Sequence, residues 1–184
     1  MKALDRVLQR RRIAKAKPLI PSGASVLDVG CSDGALFRQL SSLIGSGVGI
    51  DPELREPLVV GNARLYPGRF PKDMPETEPF DVITLLAVFE HVPRSEQTAV
   101  AWACSRLLKP GGKVVITVPS PLVDAILKVL CALRLVEGMS MEQHYGFEPR
   151  EVVPLFTSAG LRLVVHRTFQ LGLNNLFVFQ RPEH

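Results

Sequence analysis

Residues 25 to 44, SVLDVGCSDGALFRQLSSLI, constrain this chain more than any other stretch: a β-branched apolar run stops at a glycine, and apolar residues then recur at helical spacing. Strand, tight turn and helix follow in that order. The pattern then repeats, with GVGID (47–51) as a second strand, a short helical stretch after Asp51, and a weak third strand at Ala63 to Tyr66. PGRFPKDMPETEP (67–79) holds four prolines and reads as loop. FDVITLLAVF (80–89) is a buried fourth strand, SEQTAVAWACSRLL (95–108) a helix with Trp102 on its core face, and KVVITVP (113–119) a fifth strand. Strands that alternate with helices imply a parallel sheet.

The pattern changes after Pro121. LVDAILKVLCALRL (122–135) is a helix apolar on nearly every side, PREVVPLFTSAG (149–160) a helix closed by Gly160, and LRLVVHRTF and NNLFVFQRP form an antiparallel hairpin across QLGL. With 184 residues and neither repeat nor linker, the chain is read as one domain over 1–184, with a basic N-terminal helix over 1–20 and a helical insertion over 120–148. A hydrophobic fraction of 46% against 22% charged residues excludes disorder as the default. The charged N-terminus does not read as a signal peptide and no apolar run is long enough to span a membrane, so the expected location is cytoplasmic. Cys31, Cys104 and Cys131 form no CxxC pair, which argues against a disulfide framework and a cysteine zinc site.

The net charge of +4 is concentrated: residues 1–17 carry seven basic side chains against Asp5. The rest of the chain is slightly acidic, so no broad nucleic-acid-binding face is expected.

The turn Asp28-Val29-Gly30-Cys31-Ser32-Asp33-Gly34 opens directly into a helix, a geometry that lets backbone approach a ligand closely. Dinucleotide sites use the same turn but want GxGxxG, and Asp33 at the helix entrance would repel a diphosphate. About twenty residues on, Asp51 ends the second strand, where an acceptor-only carboxylate suits the two hydroxyls of a ribose. A helix-capping role before Pro52 is the bland alternative.

VLDVGCSDG, GIDPE, FDVITLLAVFEHV and LLKPGGKVVITVP resemble, in order and spacing across residues 25–120, the successive motifs of class I S-adenosylmethionine-dependent methyltransferases. The subgroup most similar in appearance is that of small bacterial enzymes like the ubiquinone- and menaquinone-biosynthesis methyltransferases. The resemblance implies a Rossmann-like, doubly wound α/β sheet of seven strands, order 3-2-1-4-5-7-6, with strand 7 antiparallel. It implies S-adenosylmethionine as cofactor, with Asp28, Gly30 and Gly34 around its methionine end. Of the other turn residues counted with the cofactor site, Cys31 reads as a small packing residue, Ser32 either hydrogen-bonds the cofactor's amino acid or caps the helix, and Asp33 stands at the helix entrance. Asp51 and Pro52 would lie at the ribose, and Leu86 and Ala87 beside the cofactor at the end of strand four. Many relatives place an acid after strand three to bind adenine, whereas this chain reads Pro67-Gly68-Arg69-Phe70; backbone carbonyls with the Phe70 ring, or Asp73 reaching back, are the alternatives.

Methyl transfer asks the protein to position a nucleophile and, where it carries a proton, to remove it. His91, after strand four, and His144 are the candidate bases. Glu90, His91 and a later histidine also resemble part of the metal site of small-RNA 2′-O-methyltransferases, but Ala87 stands where those sites have a further glutamate, and no metal is assigned. The expectation is an enzyme that methylates a small, apolar molecule at oxygen or carbon. A non-catalytic or partner-activating subunit is the alternative, a nucleic-acid methyltransferase a more remote one. Peripheral membrane contact and a homodimer are the further partner expectations.

Overall fold

The computed structural model describes residues 3–120 and 148–183. Helix α1 (Ala3–Ala16) and a 3-10 turn (Lys17–Leu19) precede strand β1 (Ser25–Val29), helix α2 (Ala35–Leu40) and strand β2 (Ser46–Asp51). Strands β3 (Leu58–Val60), β4 (Ala63–Pro67) and β5 (Phe80–Leu86) follow, then a 3-10 turn (Phe89–His91), helix α3 (Arg94–Leu107) and strand β6 (Leu108–Pro119). Helix α4 (Val152–Ser158) and strands β7 (Arg162–Phe169) and β8 (Asn174–Gln180) complete the described chain.

The eight strands form one sheet, in the order β3-β4-β2-β1-β5-β6-β8-β7. From β4 to β6 neighbours run parallel, while β8 pairs antiparallel with both β6 and β7. The seven expected strands thus keep their order, including the antiparallel last one. The correction is β3, an eighth strand paired antiparallel with the edge of β4 across the two-residue connection Gly61-Asn62.

Alternation along the strands divides the core in two. Leu27, Ile83, Leu85, Val114, Ile116 and Phe179 face α3 and α4, meeting Val100, Cys104 and Phe156. Val26, Val82, Val115, Leu176 and Val178 face α1 and α2, meeting Ile13, Ala16, Phe37 and Leu40. Both faces of a parallel sheet must be covered, and this is how the near-continuous apolar strands are accommodated. Phe156 anchors the first layer, edge-on to Phe89 at 5.3 Å between ring centroids and stacked on Phe179 at 5.0 Å.

Three local expectations are corrected. No helix follows Asp51: turns and bends occupy the stretch, because Pro57 disfavours helical backbone at Glu56 and too few residues remain to nucleate one. Helix α2 stops at Leu40, four residues before the expected Ile44. Trp102 is 45% exposed, since α3 buries Gln97, Val100, Ala101, Ala103 and Cys104, and Trp102 falls on the outer face with Thr98 and Arg106. The apolar segment 122–135, with Cys131 and His144, lies outside the described residues.

Candidate active site

The carboxyl ends of β1, β2 and β5 converge on the glycine turn, where open α/β sheets place their ligands. Gly30 has φ +73°, and its N–H donates to the Ile50 carbonyl at 2.8 Å. A Cβ there would stand 2.3 Å from Val88 Cγ2, so only glycine lets the loop after β5 close down on the turn. Gly34 is also left-handed, with φ +79°, and starts α2. Between them Cys31 turns inward: it is 3% exposed, its sulfur packs against Gly49, and burial pushes its thiol up beyond ordinary titration. Any contact Cys31 makes with a ligand in the turn therefore comes from its backbone.

Asp51 and Ser32 are joined across the turn. The Ser32 N–H donates to Asp51 Oδ2 at 2.8 Å and the Glu53 N–H to Asp51 Oδ1 at 2.8 Å. Asp51 does not cap a helix. Each of its oxygens spends one lone pair on backbone and keeps another, which leaves the carboxylate able to accept from two further hydroxyls. Ser32 holds φ +46° to make this link, a strained value for a side-chain-bearing residue. Pro52 follows on the exposed surface.

Asp28 is 5% exposed and its Oδ1 accepts from Thr84 Oγ1 at 2.6 Å. Desolvation pushes its carboxyl up to about 7; the Thr84 bond opposes the shift and the Asp51 charge adds to it. No Lys or Arg among the described residues pairs with Asp28 or Asp51. Asp33 differs, for its carboxylate is exposed, accepts from the Ala35 N–H at 3.2 Å and is ion-paired with Arg38. Thr84 was not singled out from the sequence, although a lone hydroxyl within the buried run FDVITLL was the available signal.

In the loop after β4, Asp73 Oδ2 accepts from the Arg69 N–H at 2.8 Å, and a Cβ on Gly68 would stand 2.6 Å from the Asp73 Cβ. The Arg69–Asp73 bond closes the loop 69–73 on itself. Phe70 is half-buried against the α3 side of the core. At the end of β5, Leu86 and Ala87 are half-buried, Ala87 has φ +60°, and its N–H donates to the Thr117 carbonyl at 2.8 Å. Glu90 is buried, whereas His91 is exposed at the end of its 3-10 turn. Ser32 and Ala87, two of the four non-glycine residues with positive φ among the described residues, both belong to the expected cofactor set.

S-adenosylmethionine fits this donor set better than a dinucleotide does. Two buried carboxylates without a basic partner among the described residues would repel a diphosphate, whereas a ligand bearing a sulfonium and an ammonium would offset the desolvation, and the smaller Asp51 repulsion, that raise the Asp28 pKa. A family model described as a methyltransferase domain matches residues 2–174. The chain belongs to the class I S-adenosylmethionine-dependent methyltransferases.

Within that family, the chain is 33% identical over 156 residues to a ubiquinone biosynthesis O-methyltransferase of Nitrosococcus oceani, covering 77% of this chain and 65% of the relative. A protein of the same name from Xanthomonas euvesicatoria is 32% identical over 160 residues, with 77% and 64% covered. This methyltransferase-family chain therefore spans just under two thirds of those relatives' length. Solved structures agree on the fold. The N-methyltransferase NodS of Bradyrhizobium japonicum in complex with S-adenosyl-L-homocysteine has a TM-score of 0.69 at 18% identity, covering 96% of this chain and 88% of that one. A Haloferax volcanii methyltransferase solved with the Trm112 activator has a TM-score of 0.72 at 17% identity, covering 99% and 94%.

Proposed function

We propose that this chain transfers the methyl group of S-adenosylmethionine to an oxygen or carbon of a small, apolar molecule. The observation that carries the reading is the pair of buried carboxylates, Asp28 and Asp51, set beside a glycine turn with no basic partner among the described residues. Bound cofactor supplies an electrophilic methyl on a sulfonium. Asp51 accepts from the ribose hydroxyls, and Asp28 balances the positive charge of the methionine end. Phe70 and the backbone of the turn held by Asp73 form the adenine wall. His91, at the carboxyl edge after β5, takes the proton from an acceptor hydroxyl, and His144 is the second candidate base. The O-methyltransferase names of the Nitrosococcus and Xanthomonas relatives support oxygen as the acceptor.

His91→Ala tests the proton-transfer role. With labelled S-adenosylmethionine and a panel of small phenols, turnover should fall by roughly 10²- to 10⁴-fold while affinity for S-adenosylhomocysteine stays within about twofold. Parallel loss of cofactor affinity and thermal stability would instead make His91 a packing residue. A second reading, an activity that depends on a partner subunit, is supported by the fold shared with the methyltransferase solved beside Trm112. Activity of the purified chain alone would dismiss it.

A further inference from the structure

Three buried polar atoms at the carboxyl edge of β6 and the β7–β8 connection have no hydrogen-bond partner among the described residues: Thr117 Oγ1, Asn174 Oδ1 and Gln170 Nε2. Thr117 is fully buried and Asn174 is 4% exposed. Register brings them together. Thr117 stands opposite Leu176 and Pro119 opposite Asn174 across β6 and β8, so Thr117 and Asn174 are diagonal neighbours on the α1 face of the sheet. Asn174 Nδ2 donates to Gln170 Oε1, tying the two amides to each other. Exchanging oxygen and nitrogen in both amides still leaves one donor and one acceptor open.

Native proteins keep few buried polar atoms unpaired, because each forfeits its hydration without compensation. The turn that presents Gln170 is itself costly: Gln170, Leu171 and Gly172 have φ of +54°, +58° and +82°, and two of the three carry side chains. Backbone bonds from Ser120 N–H to the Leu173 carbonyl at 2.8 Å, and from Leu173 N–H to the Gln170 carbonyl at 3.1 Å, pin this turn to the end of β6. Strain and orphan polar atoms thus coincide at one place, on the edge of the sheet where ligands bind.

We propose that Gln170, Asn174 and Thr117 form a polar clamp for the substrate, taking a neutral group that offers a donor and an acceptor side by side, such as a carboxamide or a protonated carboxyl. This rests on the methyltransferase reading above. Leu86, opposite Thr117 in register, ends β5 where the cofactor is expected, and β8 lies two strands further across the sheet, about 10 Å at ordinary strand spacing. The clamp therefore holds a part of the substrate about 5–10 Å, one to two ring widths, from the end of β5 where the methylated atom is expected. It determines specificity and orientation, not proton transfer. An ester brings no donor, and a carboxylate adds a negative charge beside the Asn174 oxygen.

The test uses chain labelled with ¹⁵N, first shown by calorimetry to bind S-adenosylhomocysteine, then saturated with it and titrated with benzamide, methyl benzoate and ethylbenzene. Benzamide should bind at least about tenfold more tightly than the other two and shift the side-chain amide signals of Asn174 and Gln170. Gln170→Met and Asn174→Leu should each abolish that preference with cofactor affinity unchanged. Thr117→Val, near-isosteric and safe for folding, should lower benzamide affinity several-fold. Equal affinity for the three probes, or a preference that survives all three substitutions, overturns the clamp alone. Failure to bind S-adenosylhomocysteine overturns the methyltransferase reading and the clamp with it.

Discussion

Asp28 carries a conflict that a ligand would resolve. Its folded pKa is raised from 3.8 to about 7 by burial, so between those values the folded chain holds a proton that the unfolded chain releases. Stability of the ligand-free protein should consequently fall as pH rises from about 4 to about 7, and affinity for a cationic cofactor should rise over the upper part of that range. Asp28→Asn keeps an acceptor for Thr84 and removes the charge. At pH 8 it should stabilise the free protein, by at most about 4 kcal/mol, while weakening S-adenosylmethionine binding. Urea unfolding and calorimetry at pH 5 and pH 8 check both signs. A variant that is destabilised at pH 8 would mean that the ionised carboxylate is already compensated. The sequence revealed this residue by its place before Gly30, but not its electrostatic state, which depends on Thr84 and Asp51 lying nearby.

Between elements, the LKPGG stretch that starts β6 is held by side chains from distant parts of the chain. Lys109 Nζ meets Asp81 Oδ2 at 2.9 Å, and Asp81 Oδ2 also accepts from the Ser25 N–H at 2.8 Å, tying the starts of β1, β5 and β6. Arg181, just past β8, donates to the carbonyls of Ser105, at 3.2 Å, and Leu108 at the end of α3. A cation on these carbonyls both caps the helix and opposes its dipole. Arg181→Met should therefore cost about 1–3 kcal/mol in urea unfolding and leave cofactor affinity unchanged. A loss of cofactor affinity would show instead that α3 is coupled to the site. The strands from β1 to β6 were legible because a parallel sheet buried on both faces writes itself as long apolar runs. The short strand β3 was not read, although Gly61-Asn62 between LVV and ARLY is a two-residue hairpin signal. Trp102 was misplaced because its neighbours on α3 are mostly small, and periodicity alone did not show which stripe of the helix packs inward.

Taken as a unit, the molecule divides its tasks between two parts of the chain. The stretch from β1 to β6 carries the glycine turn, the buried carboxylates of Asp28 and Asp51, and His91, and its motifs could be read in order because backbone approach and ribose recognition demand particular residue types. The substrate side draws on Thr117 and on the β7–β8 connection, whose Gln170 and Asn174 become informative only once the strands are paired. The basic excess is confined to α1, where Arg6, Arg10, Arg11 and Lys15 are exposed while Ile13 and Ala16 face the core. Among the described residues no helix is long and apolar enough to cross a membrane. The central claim is that the Asp28–Gly34 turn and Asp51 bind S-adenosylmethionine, and isothermal titration of the purified chain tests it most directly. S-adenosylhomocysteine should bind, NAD should not, and Asp51→Ala should weaken S-adenosylhomocysteine by about 1–3 kcal/mol, the range for losing hydrogen bonds to a charged acceptor. Preferential binding of NAD, or an affinity unchanged in the folded Asp51→Ala variant, would contradict it.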